Sequence, residues 1–146
     1  MKTLRHLTIT LTLAVLSGCS KPPDDMPKVE LHPFSGMLKV AGKPATGAML
    51  TLHPVGDSTL GVVTPYGKVD ENGLFILTTY TNADGAPAGK YKVTVSWADV
   101  INPGASEPEH GPEKLPRRYQ DKDTSGLELN IEPGVSEVPV LDLKSR

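Results

Sequence analysis

Cysteine is nearly absent from this 146-residue chain, with one residue, and aromatics are scarce: two Phe, four Tyr and one Trp. A single thiol excludes an internal disulfide framework and any cysteine-rich zinc module. Seven aromatic side chains are too few for a broad platform on which bases or sugars would stack. Neither sign of charge dominates, since 15 Lys and Arg face 17 Asp and Glu for a formal charge of −2. That balance lacks the basic footprint of a nucleic-acid binder. What the chain has in excess is punctuation. Gly 14 and Pro 14 make up about a fifth of it, against an average near 12%, which leaves little room for long helices and points to a small, turn-rich β domain.

The N-terminal stretch has a different character. Lys2, Arg5 and His6 form a basic start, and Leu7 to Leu16 is apolar apart from its threonines. About ten residues fit the apolar region of a signal peptide, whereas a membrane-crossing helix needs about 20. Leu16-Ser17-Gly18-Cys19 follows at once and resembles the bacterial lipobox, with small residues ahead of the chain's one cysteine. A thiolate is the nucleophile that accepts a diacylglyceryl group as a thioether. Each acyl CH₂ then buried adds roughly 0.8 kcal/mol of membrane affinity. The lipobox resemblance implies cleavage after Gly18 and lipidation of Cys19. Ser20, standing where Asp would favour retention at the inner membrane, implies the outer membrane. The expected organisation is a signal peptide over 1–18, a lipidated Cys19 with a Pro-rich tether over 19–33, and one domain over 34–146. Four prolines between residues 20 and 33 suit an extended spacer.

From Phe34 onward the hydrophobic period is two. Phe34, Gly36, Leu38 and Val40 form one face of a first strand, and Ala48, Leu50 and Leu52 one face of the next, across a turn at 41–44. A loop starts at Pro54 and Gly56 and runs through Ser58 and Thr59, and a short edge strand is expected within 61–69, where Pro65 lacks a ladder donor. Asp70-Glu71-Asn72-Gly73 is a tight turn suited to positive φ, followed by a strand with Phe75 and Leu77 on one side. Tyr91, Val93, Val95 and Trp97 against Lys90, Lys92, Thr94 and Ser96 make the clearest alternation in the chain. Residues 98–126, with four prolines, are expected to form a long irregular loop, and loops of that length usually have a function or are mobile. Leu127, Leu129 and Ile131 alternate again. A last strand over 138–143 changes apolar phase at Val140–Leu141, which predicts a bulge or a change of facing neighbour. Seven short strands separated by regular turns imply an all-β, two-sheet sandwich.

Several segments also resemble the carboxypeptidase regulatory-like, transthyretin-like (prealbumin-like) domains of bacterial surface lipoproteins. They are Gly36 to Ala45, Gly47 to Pro54, Val69 to Phe75 and Pro87 to Val95. Asp70-Glu71-Asn72-Gly73-Leu74-Phe75 is similar to the family's D-x-x-G-x-F motif, and Pro87-Ala88-Gly89-Lys90-Tyr91-Lys92-Val93 to its P-x-G-x-Y-x-V motif. The resemblance implies a seven-strand sandwich acting as an accessory or interaction module. Hydroxyisourate hydrolases share the transthyretin fold and end in Tyr-Arg-Gly-Ser, but this chain ends Leu141-Asp142-Leu143-Lys144-Ser145-Arg146. The zinc of carboxypeptidases belongs to a separate catalytic domain.

Candidate site residues are few. Glu107, Glu109, His110 and Glu113 lack the converging spacing of a four-ligand zinc site, and Asp121, Asp123 and Thr124 lack the glycine and terminal glutamate of a calcium loop. No serine stands in a nucleophile-elbow context. Arg117-Arg118-Tyr119 carries two readings: guanidinium groups beside a phenol that would bind a carboxylate, phosphate or sugar, or a tyrosine that fastens the long loop to the sandwich. The expectation is a non-catalytic, membrane-anchored binding or structural module with no metal and no cofactor. Its partners would be the membrane through its lipid and an envelope protein or glycan, not nucleic acid. The alternative is a small-ligand or glycan receptor using 98–126, and a hydrolase ranks behind both. Oligomeric state stays open.

Overall fold

The structure, a computed structural model, describes residues 29–56, 63–135 and 138–145. Among these the chain is all-β, with strands β1 (Ser35–Val40), β2 (Lys43–Pro44), β3 (Met49–Pro54), β4 (Tyr66–Lys68), β5 (Leu74–Ile76), β6 (Gly89–Ser96), β7 (Val100–Ile101), β8 (Glu109–His110), β9 (Glu128–Ile131) and β10 (Val140–Leu143). One 3-10 turn, Arg117–Gln120, interrupts them. In one four-stranded sheet β1 is flanked by β10 in parallel and, on its other side, by β2 and β5 antiparallel. The other four-stranded sheet runs β4-β3-β6-β9, antiparallel throughout. β7 and β8 pair only with each other. A bridge between Tyr66 and Thr78 links β4 to the chain just beyond β5, so the two larger sheets curl together on that side. No helix among the described residues is long and apolar enough to cross a membrane.

The period-two pattern places the core. Leu38 and Val40 of β1, Leu50 and Leu52 of β3, Tyr91, Val93 and Val95 of β6, and Leu129 and Ile131 of β9 are all buried, with Phe75, Leu77 and Leu143, in one cluster fed by both sheets. Gly36 faces Phe75 across the β1–β5 ladder. A Cβ at Gly36 would overlap the Phe75 ring, so the glycine lets the aromatic lie flat against the strand backbone. Tyr91 keeps its hydroxyl satisfied in the interior by donating to the Pro87 carbonyl at 2.8 Å, and burial pushes its pKa up to about 12.

The turn after β4 forms as its residues dictate. Gly73 takes φ +86°, while the Asp70 carboxylate accepts the N–H groups of Asn72 and Leu74, each at 2.8 Å. β1 and β2 are joined by Ala41-Gly42, both at positive φ, the geometry of a two-residue primed hairpin.

Four sequence expectations change. The chain forms more strands than seven, because β2, β7 and β8 are two-residue pairings too short to show a period. The stretch 98–126 is not a plain loop: it holds the β7–β8 ribbon and the 3-10 turn. His32, assigned to the tether, already pairs with Ala86 through N–H···O bonds of 2.9 and 3.0 Å. The final strand carries no bulge, since Met37 to Val40 pair with Val140 to Leu143 without interruption. Its phase change arises because Val140 is an apolar residue on the outer face, 55% exposed, while Leu143 points inward. The loop expected through Ser58 and Thr59 lies outside the described residues.

Gly36→Ala should destabilise the protein by about 1–3 kcal/mol, the usual penalty for overpacking, in urea denaturation. Adding Phe75→Leu should recover part of the loss, because the smaller side chain frees the space the new methyl needs.

Candidate functional site

The 3-10 turn brings the Arg117-Arg118-Tyr119 segment against the end of the core. Leu115 and Tyr119, four residues apart, are both buried, and the turn closes with the Tyr119 N–H on the Pro116 carbonyl at 3.1 Å. The Tyr119 hydroxyl accepts from Arg118 Nη2 at 2.9 Å and from the Lys144 backbone N–H at 3.1 Å. Arg118 also lies 4.7 Å from the Tyr119 ring centroid, a cation–π distance. Its carbonyl accepts the Thr124 hydroxyl at 2.9 Å. Arg117 is exposed. Of the three residues, Tyr119 is therefore fixed in the packing and Arg118 is committed to it. Both arginines are exposed and neither forms an ion pair among the described residues, but only Arg118 is engaged with Tyr119, which leaves Arg117 as the guanidinium that projects.

The acidic residues of the same stretch separate. Glu109 and His110 sit on β8 and are exposed, as is Glu107. Glu113 turns inward: its carboxylate accepts from the Trp97 N–H and Ser96 hydroxyl, each at 2.8 Å, and from the Leu115 N–H at 3.1 Å. It thereby ties the base of the ribbon to the end of β6. Trp97 donates from Nε1 to the Thr46 carbonyl at 2.9 Å, with the Lys114 ammonium 4.9 Å from its ring centroid. Asp121 accepts the Asp123 N–H at 2.8 Å, and Asp123 pairs with Lys92 at 2.7 Å and Lys122 at 3.0 Å. Among the described residues no three His, Cys, Asp or Glu side chains gather as a metal site would require.

His53 lies on the outer face of β3, with Nε2 3.0 Å from the Thr94 hydroxyl oxygen. Partial burial, and secondly the Lys122 charge, lower its pKa below the ordinary value, which favours the neutral ring. His53 and His110 stand on different elements, β3 and β8. Among the described residues one cleft of about 260 Å³ lies beside Tyr66, Leu74 and Ile76, and one of about 280 Å³ beside His53, Lys92 and Lys122. Both fall below the ~300–1,000 Å³ of ordinary ligand pockets. Cys19, with Leu16, Ser17 and Gly18, lies outside the described residues.

Two carboxylates, Asp84 and Glu113, organise backbone in a way that the sequence expectations did not include. Asp84 accepts the N–H groups of Thr79, Tyr80 and Thr81 at 2.7 to 2.9 Å, and the Thr81 hydroxyl at 3.2 Å. Burial works to raise its pKa, but these hydrogen bonds outweigh it and the net shift is downward. Asp84 stands directly before Gly85, a turn-forming pair, and an aspartate there is the signal for such a hub. Glu113 had no comparable signal, since its three partners come from both sides of the ribbon. Comparison of the chain with protein-family models, with curated proteins and with solved structures finds no match in any of the three.

Tyr119→Phe should cost about 1 kcal/mol in equilibrium unfolding, the typical net value of a hydrogen bond, because it removes the acceptor for both Arg118 and Lys144. Arg118→Ala should cost less, as Tyr119 would still hold the Lys144 amide.

Proposed function

We propose that the chain is a bacterial lipoprotein, anchored in the cell envelope through acyl chains on Cys19, whose β domain is a non-catalytic binding or structural module. The observation that carries this reading is the coincidence of a basic start, a short apolar run and Leu16-Ser17-Gly18 immediately before the chain's one cysteine. Thioether attachment requires a thiol at that point, and two or three acyl chains hold far more firmly than one. The Pro-rich residues that follow would hold the domain off the bilayer. Ser20 in place of Asp favours the outer membrane as the site.

The domain is read as a transthyretin-like, prealbumin-like sandwich of the carboxypeptidase regulatory-like type. Three features support the reading: the two four-stranded sheets feeding one core, the Asp70–Phe75 segment forming a turn into a strand, and the Pro87–Val95 segment entering the longest strand. In such a module the glycines and apolar residues of the motifs do structural work. Function then lies in what its surface meets.

Labelling cells with radioactive palmitate tests the anchor. The wild-type chain should incorporate label and partition with membranes, and Cys19→Ala should lose the label. Equal labelling of both would refute it.

A further inference from the structure

The two larger sheets are joined on one side by the Tyr66–Thr78 bridge, and away from it β9 and β10 each end a sheet with no further strand paired to them among the described residues. Unpaired strand edges invite another strand, and proteins usually blunt them with charge, proline or a bulge. β9 is blunted. The bond from the Val93 N–H to the Leu127 carbonyl sets the ladder phase, so Glu128, Asn130 and Glu132 are the residues whose backbone faces outward. Two of their side chains are charged, and Asn130 and Glu132 are bonded to each other at 2.6 Å.

β10 is not blunted. The Met37 N–H reaches the Pro139 carbonyl at 2.8 Å and the Ala41 N–H the Leu143 carbonyl at 2.9 Å. In a parallel ladder of that phase Pro139, Leu141 and Leu143 face β1, while Val138, Val140 and Asp142 turn their N–H and C=O groups to the open edge. Pro139 therefore lacks its donor on the side already paired, and it offers the free edge no protection. The edge side chains are Val138, 45% exposed, and Val140, 55% exposed, with Asp142 tied to the Gly42 N–H at 3.1 Å. Val140 also ends an apolar row. It sits beside Met37 of β1, whose other neighbour is Leu74 of β5, and both lie on the outer face.

We propose that β10 is an edge at which a second copy of this chain pairs, antiparallel across a two-fold axis centred on Val140. That register sets Val140 against the second copy's Val140, and Val138 against the second copy's Asp142. No like charges are opposed, and about six backbone hydrogen bonds form. It also continues the row Leu74–Met37–Val140 through the same residues of the other copy in reverse order. Self-complementarity of this kind is what a two-fold interface demands, and the added strand gains its affinity from main-chain bonds. The Lys144 N–H is taken by Tyr119, which ends the free edge just past β10.

The test uses the full chain with Cys19→Ser, so that an introduced cysteine is the only thiol. Val140→Cys should give an interchain disulfide dimer under mild oxidation, and Asn130→Cys on the charged β9 edge should not. Sedimentation of the Cys19→Ser chain at high micromolar concentration should show a dimer. Val140→Lys, with an unchanged circular dichroism spectrum, should weaken that dimer at least about tenfold. A chain that sediments as a monomer, a dimer indifferent to Val140→Lys, or equal cross-linking at positions 130 and 140 would overturn the proposal.

Discussion

One apolar seam, fed by alternate residues of two four-stranded sheets, is the interaction on which the other parts of this structure depend, and Tyr119 closes its end. The ring fills the end of the core while its hydroxyl holds the Lys144 amide just beyond β10. One side chain thus couples the long 98–126 segment to the sheet that β1 and β10 share. Beside that closure, the segment after β6 is held by buried Leu115, by the Glu113 clasp with the Lys114 N–H on the Trp97 carbonyl, and by the Lys92–Asp123 ion pair. The ion pair is exposed, and exposed pairs contribute little. The ribbon β7–β8 lies on the far side of the clasp. A two-stranded ribbon with Val100 and Ile101 each about half exposed gains little from its own pairing.

Much of the body could be read from the chain because its strands obey a period of two over six to eight residues. Tyr91, Val93 and Val95 alternate strictly with polar neighbours, Leu38 and Val40 alternate with Met37 and Lys39, and burial follows both alternations. The Asp70–Gly73 turn was equally legible, since Gly is the residue that accepts φ +86° without penalty. Two-residue strands have no period to read, so β2, β7 and β8 could not be foreseen. The phase change at Val140–Leu141 was visible but ambiguous. A bulge and an exposed valine leave the same pattern, and only the pairing with Met37 to Val40 separates them.

The candidate site was legible in residue type but not in role. Arg117, Arg118 and Tyr119 stand out as a cluster in any reading, yet whether a phenol packs or projects depends on contacts distant in sequence, here Lys144. Glu113 belongs to the same class: its carboxylate gathers Ser96, Trp97 and Leu115, residues that become neighbours only once the ribbon has turned back. Of the described histidines, His32 lies in a bridge, His53 on a sheet face and His110 on the ribbon.

If Tyr119 closes the seam as described, the Lys144 amide should show it directly. Native-state hydrogen exchange should find that amide exchanging only with global unfolding, alongside Val93 and Leu52 at the centre of the β3–β6 pair, while the amides of 102–108 exchange quickly. Lys144 and the ribbon tip exchanging at the same unprotected rate would contradict the account.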